Sequence, residues 1–501
     1  MLRRLTSETG LLLTVLVTGL WLAVAMPVFS QESYYWCYSQ HPDLSYYDHP
    51  PMVAWSIWLG SHVFGNEALG IRVVTWLLGC TTAIAGLGLL RSFGARPAAR
   101  QAWLVLCLGV PSLVAARFLT NPDPALCAFW MLTVLALWKA PSGHLGWWVL
   151  AGFLAGCALL SKYTAAFLAV GGAVVLLLDP DMRRQLRRPG PYVGVLVAVL
   201  TFLPVIWWNV ANDFESFRFQ TAGRWSKASI GGHWLLQFVG GQLAVINPFV
   251  ALVVPAAALW LWRRGRDRDL RATWLLAFSA PMLLFLLANS MVMQVKINWA
   301  TPALLTLLLG VAMWWSESDA LARRPRLTRV AGRGALAIAL LVLAAPIIVL
   351  FPQRRGSTWA GWAEIAACAE HWESVIDESD GVEGNVFFFA GDYRDAAQLT
   401  RGLELYVAQA EPDEVLEPVM AQNVVGRTAL QFDHWTPPTE RVGQDAIFVL
   451  PRPDGRDDIL GEVRQHFRAI ERAEHVVVQR LGIEVLSADV YVCRGYLGPQ
   501  G

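Results

Sequence analysis

Long apolar runs alternate with short polar connections through the first 350 residues of the chain. A straight transmembrane helix needs about 20 consecutive apolar residues, and the pattern predicts eleven spans. They lie near 9–29, 68–91, 101–118, 125–138, 146–160, 163–178, 191–209, 240–262, 273–293, 299–315 and 334–351. The fourth, fifth and sixth runs are shorter than a straight span requires. The pattern therefore predicts a polytopic α-helical membrane protein with about 11 transmembrane helices.

The basic residues give these spans a direction, because cytoplasmic loops carry an excess of Lys and Arg. Alternate connections hold most of them: Arg3 and Arg4; Arg91, Arg96 and Arg100; Lys139; Arg183, Arg184, Arg187 and Arg188; Arg263, Arg264, Arg266, Arg268 and Arg271; and Arg323, Arg324, Arg326, Arg329 and Arg333. We predict that these connections are cytoplasmic. The N-terminus is then inside, and everything after the eleventh span is outside the cytoplasmic (inner) membrane.

The first run has a second interpretation, as a cleaved signal peptide with Arg3 and Arg4 as its basic end. Its apolar core of about 20 residues exceeds the 7–15 residues usual for a signal, and it has no clean A-x-A cleavage site. These features favour a retained span.

After Phe351 the pattern changes to that of a folded α/β domain. The segments "GNVFFFAGD" and "DAIFVLP" predict buried strands, "AEHVVVQR" and "ADVYVCRGY" further strands, and "DAAQLTRGLELYV" and "DILGEVRQHF" amphipathic helices. We therefore divide the chain into a transmembrane domain, 1–352, and a C-terminal extracytoplasmic α/β domain, 353–501. Cys368 and Cys493 both fall in the second domain. They could form a disulfide or remain two unpaired thiols, and the sequence favours neither alternative.

The composition agrees with a membrane protein. The chain is 55% hydrophobic and 16% charged, with a mean hydropathy of +0.42, whereas soluble domains carry roughly a quarter charged residues. Its 24 tryptophans suit the membrane–water boundary. The net charge of +1 provides no overall field to attract nucleic acid, so we expect no nucleic-acid partner.

Several polar segments fall on the predicted outer side, at the ends of the apolar runs. The most polar and aromatic is "QESYYWCYSQHPDLSYYDHPPM" (31–52), and the others are "RFLTNPDPAL" (117–126), "LSKYTA" (160–165), "WWNVANDFESFRFQTAGRWSK" (207–227) and "MQVKINWATP" (293–302). Charged side chains are costly in hydrocarbon, so we expect them to line a shared polar cavity or to reach the interface. The run 52–65 is too short to span and predicts a helix in the plane of the interface.

These segments supply three kinds of candidate side chain. Carboxylates that could act as a general base are Glu32, Asp48 and Asp123. Cations that could hold a phosphate leaving group are Lys162, Lys296 and Arg224. Aromatic and amide groups that could contact a sugar or its carrier are Gln31, Tyr35, Tyr46, Tyr47, His49, Tyr163 and Asn298. The cysteines show no zinc-type spacing, and a metal at Asp48 and Asp123 would be Mg²⁺ or Mn²⁺.

Each of the central residues also has a purely structural interpretation. Asp48 begins a Pro-containing turn, Asp123 could cap the helix that begins near Pro124, and Lys162 could extend from a span end to the headgroups.

The outer segments together resemble a known family. "ESYYWCYSQHPDLSYYDHPPMVAW" resembles the first outer loop of bacterial proteins related to the dolichyl-phosphate-mannose–protein mannosyltransferases, a set that includes the aminoarabinose and galacturonic acid transferases that modify lipid A. "LTNPDPAL", "ALLSKYTA", "PVIWWN", "FESFRFQ" and "INWATPA" follow in the family's order, and "GDYRDAAQL" and "LQFDHW" resemble its outer-domain motifs. The resemblance covers nearly the whole chain.

The resemblance implies a membrane glycosyltransferase of the GT-C type, inverting at the sugar, that uses a polyprenyl-phosphate sugar donor. It implies a lipid A, glycan or protein acceptor on the outer face of the cytoplasmic membrane. The family usually has Asp-Glu at the start of the first outer loop, whereas this chain has Gln31 and Glu32. Glutamine cannot accept a proton, so the resemblance leaves Glu32 or Asp48 as the favoured base, with Asp123 orienting a substrate or helping to hold a divalent ion.

Two functions of other classes compete with this one. A transporter or flippase of lipid-linked sugars would show polar residues through the cytoplasmic half and matched broken helices in two repeats, and the sequence shows no internal repeat. A non-catalytic glycan-binding membrane protein is compatible with Gln31.

Overall fold

A computed structural model describes residues 7–225, 231–318, 325–350, 359–380, 385–410 and 419–500. The chain divides into two compact units. Unit 1 comprises Met1–Ala25 and Asp43–Ala345, and unit 2 comprises Met26–Pro42 and Pro346–Gly501. The first outer segment therefore splits between the two units near Pro42.

In its described residues, unit 1 consists of helices and their connections, with no β-strand. Its α-helices are Glu8–Ala25, Met52–Phe64, Ala68–Ser92, Pro97–Gly109, Pro111–Ala115, Pro122–Lys139, Leu145–Ser161, Phe167–Leu178, Pro180–Gln185, Gly190–Ala211, Glu215–Gln220, Ala222–Trp225, Gly232–Ile246, Pro248–Ala251, Val254–Arg266, Leu270–Ala277, Ala280–Asn289, Thr301–Glu317 and Pro325–Leu343. Short 3₁₀ helices cover Ala140–Ser142, Tyr163–Ala166 and Ile297–Ala300. Helix Ala345–Leu350 joins the two units along the chain.

Six helices in the described part of the chain are long and apolar enough to span a membrane: Glu8–Ala25, Ala68–Ser92, Pro122–Ser142, Gly190–Ala211, Leu270–Asn289 and Ile297–Glu317. The pair Gly232–Ile246 and Pro248–Arg266, which bends by 109°, makes a seventh when it is taken as one span. Proline lacks the amide hydrogen and clashes with the preceding turn, so breaks fall before Pro248 and before Pro111. The prediction of a polytopic helical protein is confirmed, whereas the count of eleven spans stays a prediction.

Close helix packing positions the polar segments of unit 1. A Cβ added at Gly60 would lie 2.2 Å from the carbonyl oxygen of Gly70, so only glycine allows helices Met52–Phe64 and Ala68–Ser92 to approach this closely. The helix predicted over 52–65 is present as Met52–Phe64. Helix Thr301–Glu317 lies at the centre, with every residue from Thr301 to Trp314 buried.

Unit 2 contains a five-stranded sheet in the order β2-β1-β3-β5-β4. The strands are β1 Val386–Ala390, β2 Val419–Met420, β3 Asp445–Pro451, β4 Phe467–Arg480 and β5 Ile483–Tyr496. Strand β1 pairs in parallel with β2 and β3, and β5 pairs antiparallel with β3 and β4. The helices are Ser30–Gln40, Trp362–Asp380, Tyr393–Ala410, Phe432–Trp435 and Asp457–Val463, with 3₁₀ turns at Gln422–Val425 and Pro438–Arg441. All four predicted strand segments are strands.

Helix Ser30–Gln40 is a structural part of unit 2, although it lies more than 300 residues before the sheet. The Ser33 hydroxyl donates to Gln398 Oε1 at 2.9 Å, and the Tyr34 ring meets the Tyr393 ring edge-on at 4.8 Å between centroids. The Gln431 amide donates to the Tyr34 hydroxyl at 3.3 Å. Tyrosines of the first outer segment therefore form part of the core of this unit.

All seven cysteines are free thiols. Cys493 is buried in strand β5, and the half-buried Cys368 places its Sγ 3.3 Å from Glu474 Oε2. Of the two alternatives for Cys368 and Cys493, the structure shows the unpaired one.

Candidate functional site

Two polar side chains from distant parts of unit 1 meet at Asp123. Lys162 Nζ donates to Asp123 Oδ1 at 2.7 Å, and Asn298 Nδ2 donates to Asp123 Oδ2 at 2.5 Å. Asp123 lies in the first turn of helix Pro122–Lys139, Lys162 follows the last residue of helix Leu145–Ser161, and Asn298 precedes helix Thr301–Glu317. Each side chain therefore sits at a helix end, where the chain leaves the apolar region.

The pair of charges at this point is buried. Asp123 is 5% exposed and Lys162 is 8% exposed. Taking an ion pair out of water is costly unless its hydrogen-bonding groups are satisfied, and both carboxylate oxygens of Asp123 accept a hydrogen bond. The ammonium of Lys162 has three donors, one of which goes to Asp123. The arrangement fixes a cation in a buried position and leaves donors for an anionic ligand.

The structural interpretations of Asp123 and Lys162 are wrong. The N-cap of helix Pro122–Lys139 is Asn121, whose side chain accepts from the Asp123 amide at 2.8 Å. Asp123 therefore does not cap the helix with its own carboxylate. Lys162 does not extend away to the headgroups, because its ammonium is held by Asp123.

Asp48 lies in a compact turn of the same unit. The Tyr46 amide donates to the His49 carbonyl at 3.1 Å, and Gln220 Nε2 donates to the Asp48 carbonyl at 2.6 Å. Asp48 is 6% exposed, and its Oδ2 is 3.9 Å from His49 Nε2. The Tyr47 ring lies 4.9 Å from that of Phe219. The turn interpretation of Asp48 is thus correct for the backbone.

A cavity of about 260 Å³ joins these two groups of residues. Its polar lining comes from His49, Lys162, Tyr163, Thr164, Gln220, Thr221 and Asn289, and its apolar lining from Phe167, Phe285, Leu286, Met293 and Trp299. The Tyr163 hydroxyl hydrogen-bonds the Ser216 hydroxyl at 2.7 Å, which fixes the ring. One cavity therefore offers a buried cation, hydrogen-bonding groups and an aromatic and aliphatic wall.

Sequence reasoning missed several of these residues. Gln220 ends the segment "FESFRFQ", where one amide among phenylalanines and charges has no distinguishing pattern. Asn289 ends helix Ala280–Asn289 inside an apolar run, where a single amide gives no signal. Trp208 has the position of an interfacial anchor, and its indole instead donates to Asp43 Oδ2 at 2.8 Å.

The other candidates divide between the units. Glu32 is 0% exposed in unit 2, and its Oε2 accepts from the Phe29 amide at 3.0 Å, so it caps its own helix. Gln31 Oε1 accepts from Arg394 Nε at 3.3 Å, and the Tyr35 ring is buried against Tyr38.

In unit 1, Tyr46 is 0% exposed and its hydroxyl accepts from the Asp43 amide at 3.1 Å. Burial raises the pKa of this Tyr46 hydroxyl. Lys296 is exposed. Arg224 belongs to helix Ala222–Trp225, and its side chain lies outside the described residues.

The carboxylates do not make a metal site. Among the described residues no group of three His, Cys, Asp or Glu side chains could hold a metal ion. Both oxygens of Asp123 are already used by Lys162 and Asn298. These residues therefore do not fit Mg²⁺ or Mn²⁺.

Comparison with known proteins agrees with this architecture. Residues 48–208 match the family model of dolichyl-phosphate-mannose-protein mannosyltransferase. The lipid A galacturonosyltransferase RgtD of Rhizobium johnstonii is 29% identical over 60% of this chain and 64% of its own length. An undecaprenyl phosphate-α-4-amino-4-deoxy-L-arabinose arabinosyl transferase of Pseudomonas fluorescens is 25% identical over 61% of this chain and 56% of its own. The match thus spans about three-fifths of these relatives.

The fold matches that of a solved structure. The crystal structure of apo ArnT from Cupriavidus metallidurans superposes with a TM-score of 0.63 at 17% identity, over 96% of this chain and 97% of that one. The same protein bound to undecaprenyl phosphate gives a TM-score of 0.55. The predicted fold class, a multi-pass helical protein with a C-terminal α/β portion, is confirmed.

Proposed function

Given that this chain is a membrane protein of GT-C fold, related to the dolichyl-phosphate-mannose–protein mannosyltransferases and to lipid A-modifying transferases, we propose that it is an inverting glycosyltransferase. It moves a sugar from a polyprenyl-phosphate donor to a hydroxyl or phosphate of a lipid A, glycan or protein acceptor. The observation that carries this proposal is the buried Asp123–Lys162–Asn298 cluster at a cavity with polar and apolar walls.

The cavity suits the donor's head and the start of its tail. Lys162 offers its remaining N–H donors to the phosphate, as a charge-assisted hydrogen bond, which is about twice as strong as a neutral one. Asp123 holds the ammonium in place, so little side-chain freedom is lost when the donor binds. Phe167, Phe285 and Leu286 supply an apolar wall for the first isoprene units.

We assign the general base to Asp48. Its carboxylate lies 3.9 Å from His49 Nε2, and His49 lines the cavity. The Glu32 carboxylate caps its own helix by accepting the amide hydrogen of Phe29. Asp48 takes the proton of the acceptor hydroxyl, and the oxygen attacks the anomeric carbon from the face opposite the phosphate. The bond from that carbon to the phosphate oxygen breaks, polyprenyl phosphate leaves with its charge held by Lys162, and the sugar configuration inverts.

The test is transfer by the purified full-length protein, with candidate polyprenyl-phosphate sugars and lipid A as acceptor. General-base catalysis is worth about 10²–10⁴-fold, so Asp48→Asn should lower kcat by that factor while leaving donor binding intact. Glu32→Gln is the matched control, because it also replaces a buried carboxylate by an amide and should change kcat by less than tenfold.

Three outcomes would contradict parts of the proposal. Absence of transfer with every donor, together with unchanged cellular lipid A and glycans on deletion, would refute the glycosyltransferase. A loss with Glu32→Gln and not with Asp48→Asn would keep the reaction and move the base to Glu32. Full activity in both variants would refute both base assignments.

We also propose that the cavity and residues 353–501 face the outer side of the cytoplasmic membrane. The arginine-rich connections support this direction, since positive charge is retained in the cytoplasm. Reporter fusions made after Arg187 and after Gln500 should report opposite sides of the membrane. The same side for both fusions would refute this orientation.

A further inference from the structure

A second cavity lies in unit 1, near the opposite end of helix Thr301–Glu317 from Asn298. Its volume is about 430 Å³. The helix rises 1.5 Å per residue, so Ser316 in the lining of this cavity is roughly 20 Å along the axis from Thr301. It is therefore separate from the cavity beside Lys162.

The walls of this cavity are mostly apolar, with Gln101 and Ser316 as their polar residues. The apolar residues include Ala98, Ala102, Val105, Ala312, Ala331 and Ala335. Val105 is 44% exposed and Gly332 is exposed, so the cavity opens at the surface of the helices. No Asp, Glu, Lys or Arg of the described chain lines it. A narrow apolar space that opens sideways in a membrane protein fits a hydrocarbon chain.

The guanidinium of Arg96 lies at the edge of this cavity. Arg96 Nη1 donates to the carbonyl oxygen of Ser316 at 3.0 Å, and Ser316 is itself a lining residue. Within the described part of the chain, Arg96 has no carboxylate partner. The guanidinium presents several donors in a planar fork that matches phosphate oxygens, and only one of them goes to Ser316.

We propose that this cavity binds one acyl chain of an anionic diacyl phospholipid, with the lipid phosphate on Arg96. Apolar walls select a chain, and the unneutralised guanidinium selects a negative headgroup over a zwitterionic one. Arg96 belongs to a connection that the charge pattern places on the cytoplasmic side. The lipid is therefore distinct from the donor and the acceptor of the proposed reaction.

The test uses the full-length protein in detergent, delipidated and then titrated with dioleoyl phosphatidylglycerol or dioleoyl phosphatidylcholine. Native mass spectrometry counts the lipids retained, and thermal unfolding reports their stabilisation. For the native chain we expect one retained phosphatidylglycerol, bound at least tenfold more tightly than phosphatidylcholine, as is typical of a charged hydrogen bond.

Two variants separate recognition of the lipid headgroup from binding of the acyl chain. Arg96→Gln should remove the tenfold preference and leave chain binding. Gly332→Leu should abolish the retained lipid, because a Cβ at Gly332 meets the Trp315 ring at 4.0 Å and directs a larger side chain into the space. It should also fold, since leucine is the better helix former.

The matched controls are Arg187→Gln and Gly146→Leu, an exposed arginine and an exposed helical glycine with nothing within 4 Å of an added Cβ. Both should bind lipid as the native chain does. Equal affinity for the two lipids, or retention of phosphatidylglycerol by Gly332→Leu, would overturn the proposal. Because the readouts are binding and stability, either result is independent of sugar transfer.

Discussion

Replacing Lys162 by methionine tests whether the buried cation is a structural partner of Asp123 as well as a donor ligand. The substitution keeps an unbranched side chain, shorter by the ammonium nitrogen, and removes its charge. Asp123 is 5% exposed, so its carboxylate cannot recover the lost interaction from water. Removing one partner of a buried ion pair costs about 3–5 kcal/mol.

The Asn298 amide remains on Asp123 Oδ2 and keeps one charged hydrogen bond. We therefore expect the lower end of that range, about 3 kcal/mol, which is more than a hundredfold in the unfolding equilibrium. In the double variant Asp123→Asn with Lys162→Met no unpaired charge is buried. The double variant should regain most of the lost stability, and its free energy of unfolding should lie within about 1 kcal/mol of that of the native chain.

Reversible unfolding in mixed micelles, followed by the fluorescence of the 24 tryptophans, measures these differences. Lys139→Met is the matched control at the other end of helix Pro122–Lys139, where the ammonium lies 5.0 Å from the Trp147 ring. Loss of a cation–π contact of this kind should cost at most about 1 kcal/mol. The reasoning is refuted if Lys162→Met costs less than about 1 kcal/mol, or if the double variant is no more stable than the single one.

Single contacts support three further predictions. Asn121→Ala removes the cap that accepts the Asp123 amide and should cost about 0.5–2 kcal/mol, while Asn121→Ser should keep most of it in the same unfolding assay. Burial and the Asp489 carboxylate raise the pKa of Tyr491 to about 12, whereas an unfolded tyrosine has a pKa of about 10. The stability that Tyr491 contributes to the folded state is therefore fully present below about pH 10 and is lost as the pH rises towards about 12. Tyr491→Phe should flatten the decline of the unfolding midpoint over this pH range. Burial and Glu474 raise the pKa of the Cys368 thiol to about 12. Because the thiolate is the nucleophile, Cys368 should react with a maleimide at about pH 8 at least a hundredfold more slowly than free cysteine. A rate like that of free cysteine would contradict the contact between Cys368 and Glu474.

The three members of the Asp123–Lys162–Asn298 cluster were candidates because they are polar residues at the ends of apolar runs. Asp123 and Lys162 are 39 residues apart and Asp123 and Asn298 are 175 apart, yet all three were candidates because a charge or amide at a span end is costly unless it is used. Their pairing depends on how helices pack, which no local pattern contains.

The sequence could not predict where Glu32 belongs. Its neighbours Tyr34 and Tyr35 have the composition of a sugar-binding surface and are instead buried in unit 2. Aromatic residues serve a core and a binding site equally well, so composition alone does not separate the two. The spans show a similar limit, because hydropathy detects apolar runs and not the bend at Asn247 and Pro248.

The membership of Met26–Pro42 in unit 2 has a consequence for biosynthesis. About 300 residues of chain separate this segment from Pro346, where the rest of the unit begins. At about 5–20 residues per second, the ribosome makes that stretch in roughly 15–60 s. Helix Ser30–Gln40, with eight of its eleven residues destined for burial, must wait at least that long for its partner helix Tyr393–Ala410. A chaperone or the translocation machinery that shields this helix during the delay would raise the yield of folded protein.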